Sequence, residues 1–156
     1  LKAADDLALM RSILVKADVF VSNLAPGSVT RMGLTGNELR KENSGLITCE
    51  ISGYGDSGAA SKKKAYDFLI QAESGLCSVT GTVESPARVG VSLTDLSTGL
   101  TAFSAILRAL IQRGKTGVGI DLKISMFDVL ADWMNFTNDF LLRRVKFEWC
   151  KKEADA

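Results

Sequence analysis

The chain alternates short β-rich runs with stretches whose apolar residues recur at helical spacing. Residues 5 to 16 carry Leu7, Met10, Ile13 and Leu14 at three- and four-residue steps, which predicts a helix ending near Lys16. Asp18 to Ser22 is Val- and Phe-rich and reads as a strand, Asn23 to Gly27 as a turn, and Leu46 to Ile51 as a second strand. Between the strands, Thr35 to Lys41 reads as a short helix with Thr35 and Glu38 in capping-box spacing. A strand, a helix and another strand of buried type predict parallel pairing with a right-handed crossover. Beyond them the pattern predicts an exposed loop over Ser52 to Lys64, a helix from Tyr66 to Val79 and a turn from Gly81 to Pro86. A long helix should then run to Arg113, followed by a strand near Val118 to Ile124 and a last helix over residues 126–140. On the long helix, Leu96, Leu100, Phe103, Ile106, Leu107, Leu110 and Ile111 predict one buried face. The fold class is therefore α/β.

Composition narrows the chemistry. At 156 residues and 46% hydrophobic content the chain can bury a core, and its formal charge of +1 offers no electrostatic footprint for nucleic acid or an anionic membrane. No apolar run reaches the ~18–20 residues of a bilayer span, and the opening Leu1-Lys2-Ala3-Ala4-Asp5-Asp6 is not a signal peptide. Cys49, Cys77 and Cys150 are widely spaced and unpaired by motif, which favours a reducing compartment. The cytoplasm is the expectation, with mitochondrial and peroxisomal placements left open. The absence of histidine excludes a His-ligated metal, a Ser-His-Asp triad and a His base, so no metal site is expected. Acid–base or covalent chemistry must then use carboxylates, Cys, Lys or Tyr.

The most informative stretch is Arg88 to Leu100, which carries a lone carboxylate, Asp95, from an apolar run into the long helix. There a carboxylate is favoured by the helix dipole and unpaired N–H groups, typically by ~0.3–1 kcal/mol. Local sequence leaves two readings open: Thr94 or Asp95 is the N-cap, or Asp95 is a catalytic group. Elsewhere Asn23 could be a turn residue or a reader of a purine edge, and Arg31 a solvated charge or a phosphate partner. Lys62-Lys63-Lys64 reads first as a solvated loop, and Asp67 as a first-turn charge.

The blocks around these residues have a recognisable order: Ala17 to Gly27, Arg31 to Leu34, Leu46 to Gly55, Ala65 to Ala72, Arg88 to Leu100, and Gly114 to Gly119. Together, over about residues 8 to 140, they closely resemble the family III CoA-transferases, the group that includes formyl-CoA transferase, carnitine CoA-transferase and the 2-methylacyl-CoA racemases. The resemblance implies a partial Rossmann-like parallel sheet with flanking helices for residues 1–140, the family's large domain, and a charged helix end or tail for 141–156. It implies that Asp95 is the nucleophile, that Tyr66 and Asp67 are active-site neighbours, and that Asn23, Leu24, Arg31, Met32, Lys64 and Ala65 contact coenzyme A. Acyl-CoA and a small carboxylic acid would be the substrates, with no permanently bound cofactor, and the protein would be an interlocked homodimer.

The implied reaction is acyl-CoA:carboxylate CoA transfer through an aspartyl-CoA thioester on Asp95. A 2-methylacyl-CoA racemase and a non-catalytic CoA-binding or dimerising fragment are the alternatives. Tyr66 stands where the racemase branch has a histidine base, and a phenol with pKa near 10 is a poor substitute. Relative to the family, the chain lacks the first strand and helix units, the downstream glycine-rich catalytic loop, the linker and the small domain. Gly53, Gly55 and Gly58 are a weak stand-in for that loop. Excess apolar residues on helix 126–140 point to a missing partner segment or a second subunit.

Overall fold

The computed structural model describes residues 4–135 of the chain. Three parallel strands, β1 (Val19–Ser22), β2 (Ile47–Ser52) and β3 (Asp121–Ser125), lie in the order β1-β2-β3, with Val19 opposite Ile47 and Thr48 opposite Asp121. The expected parallel pairing is present, and the central strand is the most buried. Leu46, Ile47 and Cys49 are fully enclosed, and a side chain of Leu or Ile so buried contributes roughly 1.5–3 kcal/mol.

Helices fill the connections. Helix α1 (Ala4–Leu14) leads into β1, and the one-turn helices α2 (Ser28–Arg31) and α3 (Gly36–Leu39) join β1 to β2. Thr35 caps α3 as its spacing predicts, its Oγ1 accepting from the Glu38 N–H at 3.4 Å. Glu38 does not complete the box, because its carboxylate accepts from Lys41 instead. Leu14, Phe20, Val29, Leu34, Leu39 and Leu46 form one core cluster under these helices.

Between β2 and β3 lie α4 (Asp67–Glu73), a 3-10 turn (Leu76–Val79), and α5 (Leu93–Thr116); α6 (Met126–Trp133) follows β3. The single helix expected from Tyr66 to Val79 is thus broken. Gly75 at φ 88° takes the left-handed conformation that ends α4 before the 3-10 turn begins. A second cluster of Ile70, Met126 and Leu130 joins α4 to α6. Strand β3 starts later than expected, at Asp121, because Gly119 crosses the chain at Leu46 so closely that a Cβ there would lie 1.9 Å from the Leu46 carbonyl oxygen. Residues 136–140 of the last expected helix, and the tail over 141–156, lie outside the described residues.

The long helix α5 departs most from expectation. Its buried positions are Thr94, Ser97, Thr98, Ala102 and Ala109, whereas Leu96, Leu100, Phe103, Leu107 and Ile111 are exposed. Small side chains let α5 close against α6 and the sheet, and the large ones point outward. Thr98 and Ser97 tolerate burial because their hydroxyls donate to the Thr94 carbonyl, at 2.6 and 3.1 Å.

The direction of α5 sets up the site. At its C-terminal end Arg113 donates to the carbonyls of Asp18 and Gly45 and pairs with the Asp18 carboxylate at 2.9 Å, which fixes that end beside the beginnings of β1 and β2. A 24-residue helix is about 36 Å long. Its N-terminus, with Asp95, therefore lies toward the carboxyl ends of the strands, where open α/β sheets bind ligands.

Candidate functional site

Two features occupy that edge. The first is a cleft of about 830 Å³ between the β1–α2 turn and the loop after β2. Leu24 and Arg31 line it, as do Lys62, Glu50 and Lys123. The Arg31 guanidinium is steadied by its own segment, donating to the Ser28 hydroxyl at 2.8 Å and to the Pro26 carbonyl at 3.3 Å, yet the residue stays exposed. That leaves a prepositioned cation at the cleft wall.

One residue of the cleft lining, Asp121 on β3, is held in an ion pair by Arg40, the residue that follows α3. Arg40 binds Asp121 through two bonds of 2.8 and 2.6 Å, and Thr48 donates to the same carboxylate. Hydrogen bonding from Arg40, ahead of that from Thr48 and against partial burial, holds the Asp121 carboxyl below its ordinary value. Lys123 pairs with Asp56 and ties the glycine-rich loop to β3.

The second feature is the junction of α4 and α5. Tyr66 is the N-cap residue of α4 and is 64% exposed, and Asp67 begins the helix. Asp67 is more than a first-turn charge: its Oδ1 accepts from the main-chain N–H of Thr94 at 2.8 Å and of Asp95 at 3.2 Å. The N-cap of α5 is Ser92, whose side chain makes no capping bond, so neither Thr94 nor Asp95 is the cap. Asp95 is the third residue of α5, and its carboxylate has no ion-pair partner among the described residues. The residue is open to solvent, yet the surrounding protein withdraws enough water to raise its carboxyl above the ordinary value, and the charge of Asp67 raises it further.

The other nominated residues are dispersed around these two features. Asn23 is exposed beside the cleft wall formed by Leu24 but is not part of the lining, and Met32 packs against the core cluster under α1. Ala65 touches the second cluster and lies against Gly53, and Lys64 is exposed outside the cleft lining. Of the three adjacent lysines, Lys62 reaches the cleft, while Lys63 pairs with Glu73 and sits over the Tyr54 ring at 5.6 Å. Gln71 was not nominated, although it is fully buried and donates to Asp67 Oδ2 at 2.7 Å. The only signal for it in the sequence is the four-residue step from Asp67.

The family model for CoA-transferase family III matches residues 1–142. The chain belongs to CoA-transferase family III. Succinyl-CoA:glutarate CoA-transferase of Mus musculus is 41% identical over 113 residues, covering 72% of this chain and 26% of that protein. Acetyl-CoA:oxalate CoA-transferase of Acetobacter aceti is 41% identical over 130 residues, covering 82% and 33%. The crystal structure of a CAIB/BAIF family protein from Brucella suis superposes with a TM-score of 0.84 at 32% identity, over 90% of this chain and 38% of that one. Rv3272 from Mycobacterium tuberculosis gives a TM-score of 0.84 at 26% identity, over 93% and 41%. This family III chain thus spans about a third or less of the curated relatives named here, and the matched span holds every nominated site residue.

Proposed function

We propose that this family III chain carries the nucleophile and part of the coenzyme A site of an acyl-CoA:carboxylate CoA-transferase. The observation that carries the reading is Asp95: a carboxylate without an ion-pair partner among the described residues, in the first turn of α5, toward the carboxyl ends of the strands. The pKa of its carboxyl is raised by partial withdrawal from water and by the charge of Asp67, the direction that makes a carboxylate more basic and a better nucleophile.

A carboxylate oxygen of Asp95 attacks the thioester carbonyl of the donor acyl-CoA, CoA leaves as thiolate, and a mixed anhydride forms. The thiolate then attacks the aspartyl carbonyl. The donor acid leaves as its carboxylate, and Asp95 holds CoA as a thioester. An acceptor carboxylate repeats these steps in reverse, leaves as the new acyl-CoA and restores Asp95. No metal or electron carrier enters the balance.

Leu24 and Arg31 in the cleft support coenzyme A binding, with an apolar side chain for the base and a guanidinium for phosphate. Asn23, Met32, Lys64 and Ala65 belong to the same reading through the resemblance. The outward apolar stripe of α5 supports the homodimer as part of it. Succinyl-CoA is the first donor to test, because a relative named above is a succinyl-CoA:glutarate CoA-transferase. Tyr66 in place of a histidine base weighs against racemisation.

The experiment is CoA exchange between succinyl-CoA and a panel of carboxylic acids. Transfer should be abolished by Asp95→Asn and by Asp95→Ala, and a loss of only a few fold would contradict the role of Asp95.

A further inference from the structure

We propose that Asp67 and Gln71 are positioning residues that fix where Asp95 stands; this rests on the reading of Asp95 as the nucleophile. A helix start needs acceptors for its first N–H groups, and α5 receives none from the side chain of its own cap, Ser92. It takes them from another helix. Asp67 Oδ1 spans the N–H groups of Thr94 and Asp95, and in return the Thr94 hydroxyl donates to the Asp67 carbonyl at 3.2 Å. The starts of α4 and α5 are thereby locked together at the residue that carries the reactive carboxylate.

Gln71 supports the lock from below. Its Nε2 donates to Asp67 Oδ2 at 2.7 Å and to the Val91 carbonyl at 3.4 Å, while its Oε1 accepts from the Val89 N–H at 3.0 Å. One enclosed amide therefore fixes the Asp67 rotamer and the strap that leads into α5. An Asn at this position could still accept from the two N–H groups, but its amide nitrogen would face the Gln71 amide nitrogen, donor against donor, so a carboxylate alone satisfies both sides. A carboxylate does something more, because its charge lies beside that of Asp95. On the elements packed against α5 and in the strap before it, the charged residues include Asp67 and Glu73 on α4, Glu50 on β2, Asp121 and Lys123 on β3, Asp128 and Asp132 on α6, and Arg88; of these, Asp67 alone acts on Asp95 by charge.

The test uses Asp67→Asn and Gln71→Met in the full chain, with two readouts. The first is NMR titration of the Asp95 carboxyl carbon and of the Thr94 and Asp95 amides, which needs no activity. In Asp67→Asn the Asp95 carboxyl should titrate at lower pH than in the parent, because a repelling charge is gone, and the resonances of the two amides should move, because the charged acceptor they donate to is replaced. The second is CoA transfer. Both variants should lose about tenfold to a hundredfold in kcat with a much smaller change in KM, and in Asp67→Asn the acid limb of the pH profile should move down. A merely structural role would lower the amount of folded enzyme without moving that limb. If Gln71→Met does not fold, Asp67→Asn alone decides. An unchanged Asp95 titration with unchanged amides overturns the proposal. Absence of CoA transfer in the parent would instead overturn the function reading, with the NMR result standing by itself.

Discussion

Gly36 lies against Asp121 with no room for a side chain: a Cβ on Gly36 would come within 1.8 Å of Asp121 Oδ1 and 2.7 Å of Arg40 Nη1. The close approach lets Arg40 reach Asp121, a residue of the cleft lining, with both nitrogens. On an ordinary helix Gly→Ala is favourable by up to ~1 kcal/mol. Here Gly36→Ala should instead destabilise the fold by about 1–3 kcal/mol, the usual cost of overpacking. Denaturant titration of the two proteins checks this, and a variant as stable as the parent would show that the contact is slack.

The same ion pair predicts acid sensitivity. The folded pKa of Asp121 is depressed, so its contribution to stability is present above the unfolded carboxylate value of ~3.9 and is lost as pH falls through the folded one. At pH 7 Asp121→Asn should cost of order 1–2 kcal/mol, since the pair is only partly screened from water. Unfolding measured from pH 7 down to pH 3 should show the gap between parent and variant closing at the acid end. A gap that stays constant would mean the Arg40 bonds contribute nothing through charge.

Helix α5 predicts an inverted mutational pattern. Ala102 is 4% exposed and Phe103, its neighbour, 58%. Ala102→Leu should therefore destabilise this chain by about 1–3 kcal/mol through overpacking, whereas Phe103→Gln should stay within about 0.5 kcal/mol. Thermal unfolding of both variants decides it, and the reverse order would restore the large residues to a buried face.

Much of this architecture is legible in the amino acids. Val19 to Val21 and Leu46 to Ile51 announce strands, though Val21 proves half exposed, and Thr35 announces a cap, because strand and cap signals are local. The break at Gly75 was missed because the apolar spacing of α4 continues into the 3-10 turn. The buried face of α5 was misjudged for a physical reason: periodicity identifies an apolar stripe, not the surface that covers it, and Ala102, Ala109 and Ser97 carry almost no hydropathy signal. At the site, Asp95 is recognisable from the ordered blocks around it. The bonds from the Thr94 and Asp95 amides to Asp67 join residues 27 and 28 apart, and the Arg40–Asp121 pair joins residues 81 apart; no local spacing encodes such partners.

The cleft predicts salt-sensitive binding. If Arg31 and Lys62 meet the phosphates of coenzyme A, affinity should fall as ionic strength rises, because exposed charge pairs are screened beyond ~10 Å at 0.1 M salt. Arg31→Ala and Lys62→Ala should each weaken binding and flatten that dependence. Calorimetry across a salt series checks both effects, and an affinity indifferent to salt and to both substitutions would remove coenzyme A from this cleft.

The central claim is that Asp95 becomes a thioester. The most direct measurement is mass analysis of the protein after incubation with succinyl-CoA and no acceptor, followed by peptide mapping. The parent should gain the mass of one coenzyme A less one water on the peptide containing Asp95, and adding an acceptor acid should discharge it. Asp95→Asn should gain nothing. An adduct on another residue, or one retained in Asp95→Asn, would contradict the account.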